Sequence, residues 1–252
     1  MPDATALRRK MLSGTACLGA WLLTNSADVA EIMASAGMDF LLIDHEHGQG
    51  NIADAIAQLR AIRGTNCAGI LRVPDHDPVY IKRVLDAGVD GILVPNVATA
   101  DEARRIVGAC RYPPLGWRGA FGGMRAMDYG FNPGYYAAAA DKLLIAVQVE
   151  SAGAIDNIAE IATVDGIDLI FIGPRDLSAT LGKLNLFDDP DVQAEIARAE
   201  QAILSSGKLL GSTAINGRVA KEMAARGYRF IIPGSDVTLL GLGLRQTLAE
   251  AR

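Results

Sequence analysis

The chain has 252 residues, 50% hydrophobic and 21% charged, with 24 basic against 29 acidic residues for a formal charge of -5. This composition excludes disorder, supplies ample core material, and with no basic block leaves no electrostatic footprint for a nucleic-acid partner. Charged residues interrupt every apolar run before the ~20 residues of a membrane span, and residues Met1 to Lys10 lack a signal-peptide core, so a cytoplasmic chain with no membrane partner is expected.

Cys17, Cys67 and Cys110 are odd in number and lack C-x-x-C spacing. Neither a disulfide framework nor a thiolate metal site is suggested, and all three read as buried thiols.

From Cys17 onward, short apolar runs alternate with amphipathic segments. The first strand is expected at Cys17–Leu22, followed by a helix at Ala27–Ala36 that Ser26 can cap. A second strand at Phe40–Asp44 leads to a helix at Ile52–Arg63, and a third at Gly69–Val73 to a helix at Pro78–Ala87, with proline suited to its first turn. Gly91–Pro95 and Ala100–Cys110 make the fourth unit. Leu143–Glu150 and Ala152–Ile161 make the fifth. Strand six, Leu169–Gly173, precedes a helix at Val192–Ser206; strands seven and eight, Leu209–Ala214 and Phe230–Gly234, precede helices at Gly217–Arg226 and Val237–Ala251.

The strands are mostly unalternating, as strands covered on both faces should be. A glycine recurs between helix and strand, at Gly37, Gly88, Gly166 and Gly227. Eight βα units in about 250 residues predict a (β/α)8 barrel in a single domain, residues 1–252. An open doubly wound sheet is disfavoured, since no G-x-G-x-x-G follows the first strand. Residues Arg111–Ala140, rich in glycine, proline and aromatics, break the period and read as a long irregular loop of functional character.

Barrel chemistry collects at the C-terminal strand ends. Strand two ends in Asp44-His45-Glu46-His47, which holds two of the chain's three histidines. His47 can act as general base there, with a nearby carboxylate fixing its tautomer. Strand five ends in Gln148-Val149-Glu150, with period two placing Gln148 and Glu150 on one side. Strand six ends in Gly173-Pro174-Arg175-Asp176. Carboxylates from adjacent strands, without clustered cysteines, make an oxygen-ligand site suited to Mg²⁺ or Mn²⁺, although such carboxylates also serve as caps and ion-pair partners. Arg72 sits inside an apolar run, either as a buried ion pair or as an anion-binding group. None of the six lysines lies at a C-terminal strand end, so a Schiff-base mechanism has no evident lysine. Thr213 and Ser235 close strands seven and eight, where barrels often hold phosphate.

Leu42-Ile43-Asp44-His45-Glu46-His47, Arg72-Val73-Pro74, Arg111 through Gly119, Val147 through Ser151 and Phe171 through Ser178 together resemble the HpcH/HpaI family of class II 2-oxoacid aldolases. The likeness runs in order from roughly Gly14 to the last helix. It implies a metal-dependent carbon-carbon lyase joining or cleaving a 2-oxoacid, pyruvate or hydroxypyruvate, and an aldehyde. It implies a homohexamer that exchanges the C-terminal helix between neighbours, and a divalent cation, Mg²⁺, Mn²⁺ or Co²⁺, at Glu150 and Asp176.

By the same resemblance Arg72 and the metal meet the enolate, Asp44 and His47 move protons, and Asp86 is lent to a neighbouring subunit's histidine. Gln148 and the main chain from Gly173 through Pro174 and Arg175 to Asp176 resemble substrate-contacting positions. The family commonly has glycine at the position of His45 and alanine or serine at that of Arg175, so a more crowded, more basic pocket is expected, with His45 touching the oxoacid. A metal-dependent acyl-CoA lyase of the same architecture is the alternative, and a non-catalytic barrel a more distant one.

Overall fold

The computed structural model describes residues 2–252. Eight parallel strands, β1 (Cys17–Leu22), β2 (Phe40–Asp44), β3 (Ala68–Arg72), β4 (Gly91–Val94), β5 (Leu144–Val149), β6 (Leu169–Ile172), β7 (Leu209–Thr213) and β8 (Phe230–Ile232), pair in chain order. The sheet closes where Cys17 and Leu18 of β1 meet Phe230 and Ile231 of β8. The expected (β/α)8 barrel is thus present, each expected strand falling on an observed one.

Around it lie α1 (Thr5–Leu12), α2 (Ala27–Ser35), α3 (Ile52–Ala61), α4 (Pro78–Ala87), α5 (Ala100–Cys110), α6 (Tyr135–Lys142), α7 (Ala152–Asp156), α8 (Ile158–Ala162), α9 (Pro174–Thr180), α10 (Pro190–Ser206), α11 (Gly217–Ala225) and α12 (Asp236–Ala251). The expected local signals operate: Ser26 accepts the Val29 N–H at the start of α2, and Pro78 opens α4 behind the Asp77 cap. Gly37, Gly88, Gly166 and Gly227 all take positive φ, between 85° and 108°, which lets the chain leave a helix and turn into the next strand. No helix among the described residues is long and apolar enough to cross a membrane.

Side chains alternate between two packed regions. Phe40, Leu42, Ile70, Leu144, Ala146, Leu169, Phe171 and Phe230 fill the barrel interior, whereas Leu41, Ile43, Leu71, Ile145, Val147 and Ile170 pack under the helices. Phe40 and Phe230 stack with centroids 3.7 Å apart. Gly19 makes room for that stack, because a Cβ there would fall 2.3 Å from the Phe40 ring. Each such buried aromatic or aliphatic side chain contributes roughly 1.5–3 kcal/mol.

Four features differ from the sequence reading. Helix α1 precedes the first unit and sends Leu7 and Met11 into the interior cluster, closing the N-terminal end of the barrel. Its amphipathic span is too short to announce itself, and Arg8 anchors it to Asp168. The insertion is not wholly irregular: it ends in α6 and builds a small core of Met124, Ala126, Met127 and Tyr135 against Tyr112. Finally, the helix expected at Ala152–Ile161 breaks at Asn157, whose side-chain amide donates to Ala98 O at 2.8 Å, and the unforeseen α9 starts directly after β6.

Candidate active site

The alternation that fills the interior also aims the polar strand ends. Asp44, two residues beyond Leu42, and Arg72, two beyond Ile70, face inward and are register partners across β2 and β3. Arg72 Nε donates to Asp44 Oδ1 at 2.9 Å and Nη2 to Oδ2 at 2.6 Å. Glu46 closes on the third side, its Oε2 lying 2.9 Å from Nη1, and the guanidinium carbon stands 4.2 Å from the centroid of a Trp21 ring. Both members of the bidentate pair are buried. Such a pair holds only because hydrogen bonds in the right geometry replace water.

Two guanidinium N–H groups are committed to Asp44, and Glu46 Oε2 sits at ion-pair distance with no hydrogen bond of its own, so the three N–H groups that remain on Nη1 and Nη2 can meet a substrate oxygen. Asp44 Oδ1 also accepts the main-chain N–H of Glu46 at 3.0 Å and of His47 at 3.4 Å, so Asp44 shapes the turn that carries the exposed His47. Its contact with His47 runs through the backbone.

Across the mouth, Gln148 and Glu150 share the inward parity of Leu144 and Ala146, as expected. Glu150 is buried; its Oε1 accepts the Asn96 N–H at 2.7 Å and its Oε2 accepts from Gln148 Nε2. Burial pushes the Glu150 carboxyl up to about 7, against those two hydrogen bonds, and the negative charges of Asp176 and Glu46 add to the rise. Glu46 is raised as well, chiefly by burial and despite Arg72 and His47. Gln148 Oε1 is buried with no hydrogen-bond partner. Gly173 admits this arrangement, since a Cβ there would lie 2.5 Å from Glu150 Oε2 and 2.9 Å from Gln148 Nε2. Pro174 then opens α9, and Asp176 stands exposed on its first turn.

Several expected contacts fall elsewhere. His45 does not face the oxoacid side: it follows inward Asp44, so its ring turns to the helix layer, where Nδ1 lies 2.9 Å from the Tyr80 hydroxyl of α4. Burial lowers its pKa. The strand period of two, which sends Asp44 inward, necessarily sends its neighbour out. Arg175 adds its charge at the rim rather than beside Glu150: its guanidinium folds onto Asn185 Oδ1 and lies 5.7 Å from the Phe187 ring centroid. Ser235 is occupied as a helix cap, its hydroxyl accepting the Thr238 N–H at 3.1 Å. Thr213 keeps the inward parity of Leu209 at the end of β7. Asp86 lies on α4 outside the barrel, 2.6 Å from Arg118 Nη2.

The sequence reading missed Trp21, the pairing of Glu46 with Arg72, and Asn96. Asn96 had a usable signal: it is polar, directly follows β4 and Pro95, and holds a left-handed φ of 51°, which asparagine tolerates better than most residues. Among the described residues no three histidine, cysteine or acidic side chains converge into a ready-made metal cage.

Comparison with known proteins agrees with the fold and gives the family. The HpcH/HpaI aldolase/citrate lyase family model matches residues 18–241, and the chain belongs to that family. It is 43% identical over 232 residues to a 4-hydroxy-2-oxovalerate aldolase of Novosphingobium aromaticivorans, covering 92% of this chain and 88% of that one. A hydroxypyruvate/pyruvate aldolase of Chromohalobacter salexigens is 39% identical, with 95% and 94% covered. Among solved structures, an HpcH/HpaI aldolase/citrate lyase family protein from Burkholderia cenocepacia J2315 superposes with a TM-score of 0.95 at 36% identity, covering 98% of this chain and 99% of that one. The expected class stands: the chain is a carbon-carbon lyase of the 2-oxoacid aldolase type.

Proposed function

We propose that the barrel mouth binds a divalent cation between Glu150 and Asp176 and catalyses reversible aldol addition of pyruvate or hydroxypyruvate to an aldehyde. The observation that carries this is the imbalance at Glu150. A buried carboxyl held near neutrality by burial, with two further carboxylates beside it, is a poorly stabilised anion that a cation would relieve. The donors are all oxygen, which fits Mg²⁺, Mn²⁺ or Co²⁺ rather than a soft metal. When bound, the cation supplies Lewis acidity toward the keto oxygen of the oxoacid.

The protein's own groups do the rest. Arg72, rigid between Asp44, Glu46 and Trp21, presents its remaining N–H groups to the enolate oxygen as charge develops there. Rigidity matters because a pre-aimed donor loses no energy to reorganisation. Gln148 and the main chain from Gly173 to Asp176 orient the oxoacid. His47 takes the proton of the acceptor-side hydroxyl during cleavage and returns it in condensation, as an imidazole can at neutral pH. Asp44 keeps the His47 turn and the guanidinium in one register. Asp86 of a neighbouring subunit is the proposed partner of His47, which requires an oligomer.

A homohexamer that exchanges α12 is supported by that helix itself. Leu240, Leu242, Leu244 and Leu248 are 64%, 54%, 56% and 48% exposed, an apolar surface that a neighbour would cover. Three unpaired, buried cysteines are in keeping with a cytoplasmic setting. The decisive experiment is proton exchange at pyruvate C3 followed by NMR. Exchange is expected with added Mn²⁺ and none after exhaustive chelation; exchange that survives chelation would refute the metal assignment.

A further inference from the structure

We propose that Arg175 selects the aldehyde, favouring an acceptor that carries a carboxylate; this rests on the aldolase reading above. Arg175 stands on the first turn of α9, one residue before Asp176, and its side chain is exposed at the mouth of the barrel. The other arginine of the mouth cannot serve a second anion well, since Arg72 is already compensated by Asp44 and Glu46. Arg175 is not compensated. Its guanidinium rests on two neutral groups, the Asn185 side-chain oxygen and the face of Phe187. Lys183 of the same loop shows what commitment looks like there, since it is paired with both Asp189 and Asp191.

The bland alternative is that Arg175 latches residues 181–189 onto α9. That loop is fastened without the guanidinium. Lys183 N–H donates to Ser178 O at 2.8 Å, Asn185 N–H donates to the Ser178 hydroxyl at 3.2 Å, and that hydroxyl donates to Arg175 O at 2.7 Å. The Arg175 head group is therefore surplus to the loop's closure and held by contacts that an incoming carboxylate outbids. A guanidinium–carboxylate fork is stronger than a bond to a neutral amide and more specific in direction. The arginine waits beside the site and turns to the acceptor's acid group, so acidic aldehydes gain affinity and neutral ones do not.

The test compares succinic semialdehyde with butanal, aldehydes of equal chain length, in addition reactions with pyruvate. In Arg175→Gln the ratio of kcat/KM for the acid over the neutral aldehyde should fall about tenfold or more, mainly through KM, and Arg175→Lys should restore part of it. Raising the salt concentration should lower the parent's ratio in the same direction, because an exposed charge pair is screened. Asn185→Gly, which keeps the left-handed backbone while freeing the guanidinium, should preserve or raise the ratio. An unchanged ratio in Arg175→Gln would overturn the proposal, as would an equal fall in Asn185→Gly, the mark of a latch. Absence of Mn²⁺-dependent C3 exchange of pyruvate in the parent would instead remove the proposed mechanism on which this inference rests.

Discussion

The two sides of the barrel mouth are built on opposite electrostatic plans. On the β2–β3 side, Arg72 is matched in charge by Asp44 and Glu46, and its Nε and Nη2 donate to Asp44 at 2.9 and 2.6 Å. On the β5–β6 side, Glu150 is buried near Asp176 without a basic partner, its two oxygens supported only by the Asn96 and Gln148 N–H groups. One side is complete in the chain alone. The other carries a buried acid with no counter-charge, and the comparison teaches that one barrel mouth can hold a balanced ion pair and an unbalanced carboxylate on strand pairs separated by β4.

The largest expected effect lies on the unfinished side. Glu150→Gln combined with Asp176→Asn should lower Mn²⁺ affinity by more than about 10² and abolish turnover while leaving the thermal midpoint of the metal-free protein unchanged or higher, because a buried charge problem is removed. Calorimetric titration with circular dichroism checks both; a collapse of the fold would mean that these carboxylates are structural.

Arg72→Ala breaks the finished side. It strands Asp44 without its counter-charge, so stability should fall by about 3–5 kcal/mol. C3 exchange of pyruvate should slow by roughly 10² or more, whereas His47→Ala should slow cleavage with exchange retained. Unchanged exchange in a folded Arg72→Ala protein would remove the arginine from the enolate.

A smaller effect follows pH. With the Glu150 carboxyl raised to about 7, protons compete with the cation there, so apparent Mn²⁺ affinity should drop about tenfold per pH unit below that value. The sign for folding is opposite. A raised carboxyl favours the folded, metal-free chain at low pH, and that contribution is lost as pH rises through about 7, a loss that added Mn²⁺ should offset. A pH-independent affinity between about pH 5.5 and 7.5 would show that Glu150 is not a ligand.

The smallest effect concerns His45, which belongs to neither side. Its ring is bonded to Tyr80 behind the sheet, so Tyr80→Phe should cost about 0.5–1.5 kcal/mol of stability. His45→Gly should affect pyruvate and hydroxypyruvate donors equally. A selective loss for hydroxypyruvate would return the imidazole to the substrate side.

Much of this protein was determined by local sequence. Short continuous apolar runs, bounded by glycine and alternating regularly with amphipathic segments, read as strands covered on both faces, and a glycine between helix and strand supplies the left-handed turn, so the barrel and its repeating unit were legible in the sequence. Strand parity put Gln148 and Glu150 on one side; that this side is the inner one, shared by Asp44 and Arg72, came from the closed barrel. That parity also condemned His45, once it was applied through Asp44 rather than from the loop beyond it. What the tertiary structure alone decided are the meetings of residues far apart in sequence: α1 against the barrel floor, Trp21 under Arg72, the Asn96 N–H on Glu150, Arg175 laid on Phe187. Period and propensity report the face a residue presents. Which distant partner it finds there depends on closure of the whole sheet, a property no local window contains.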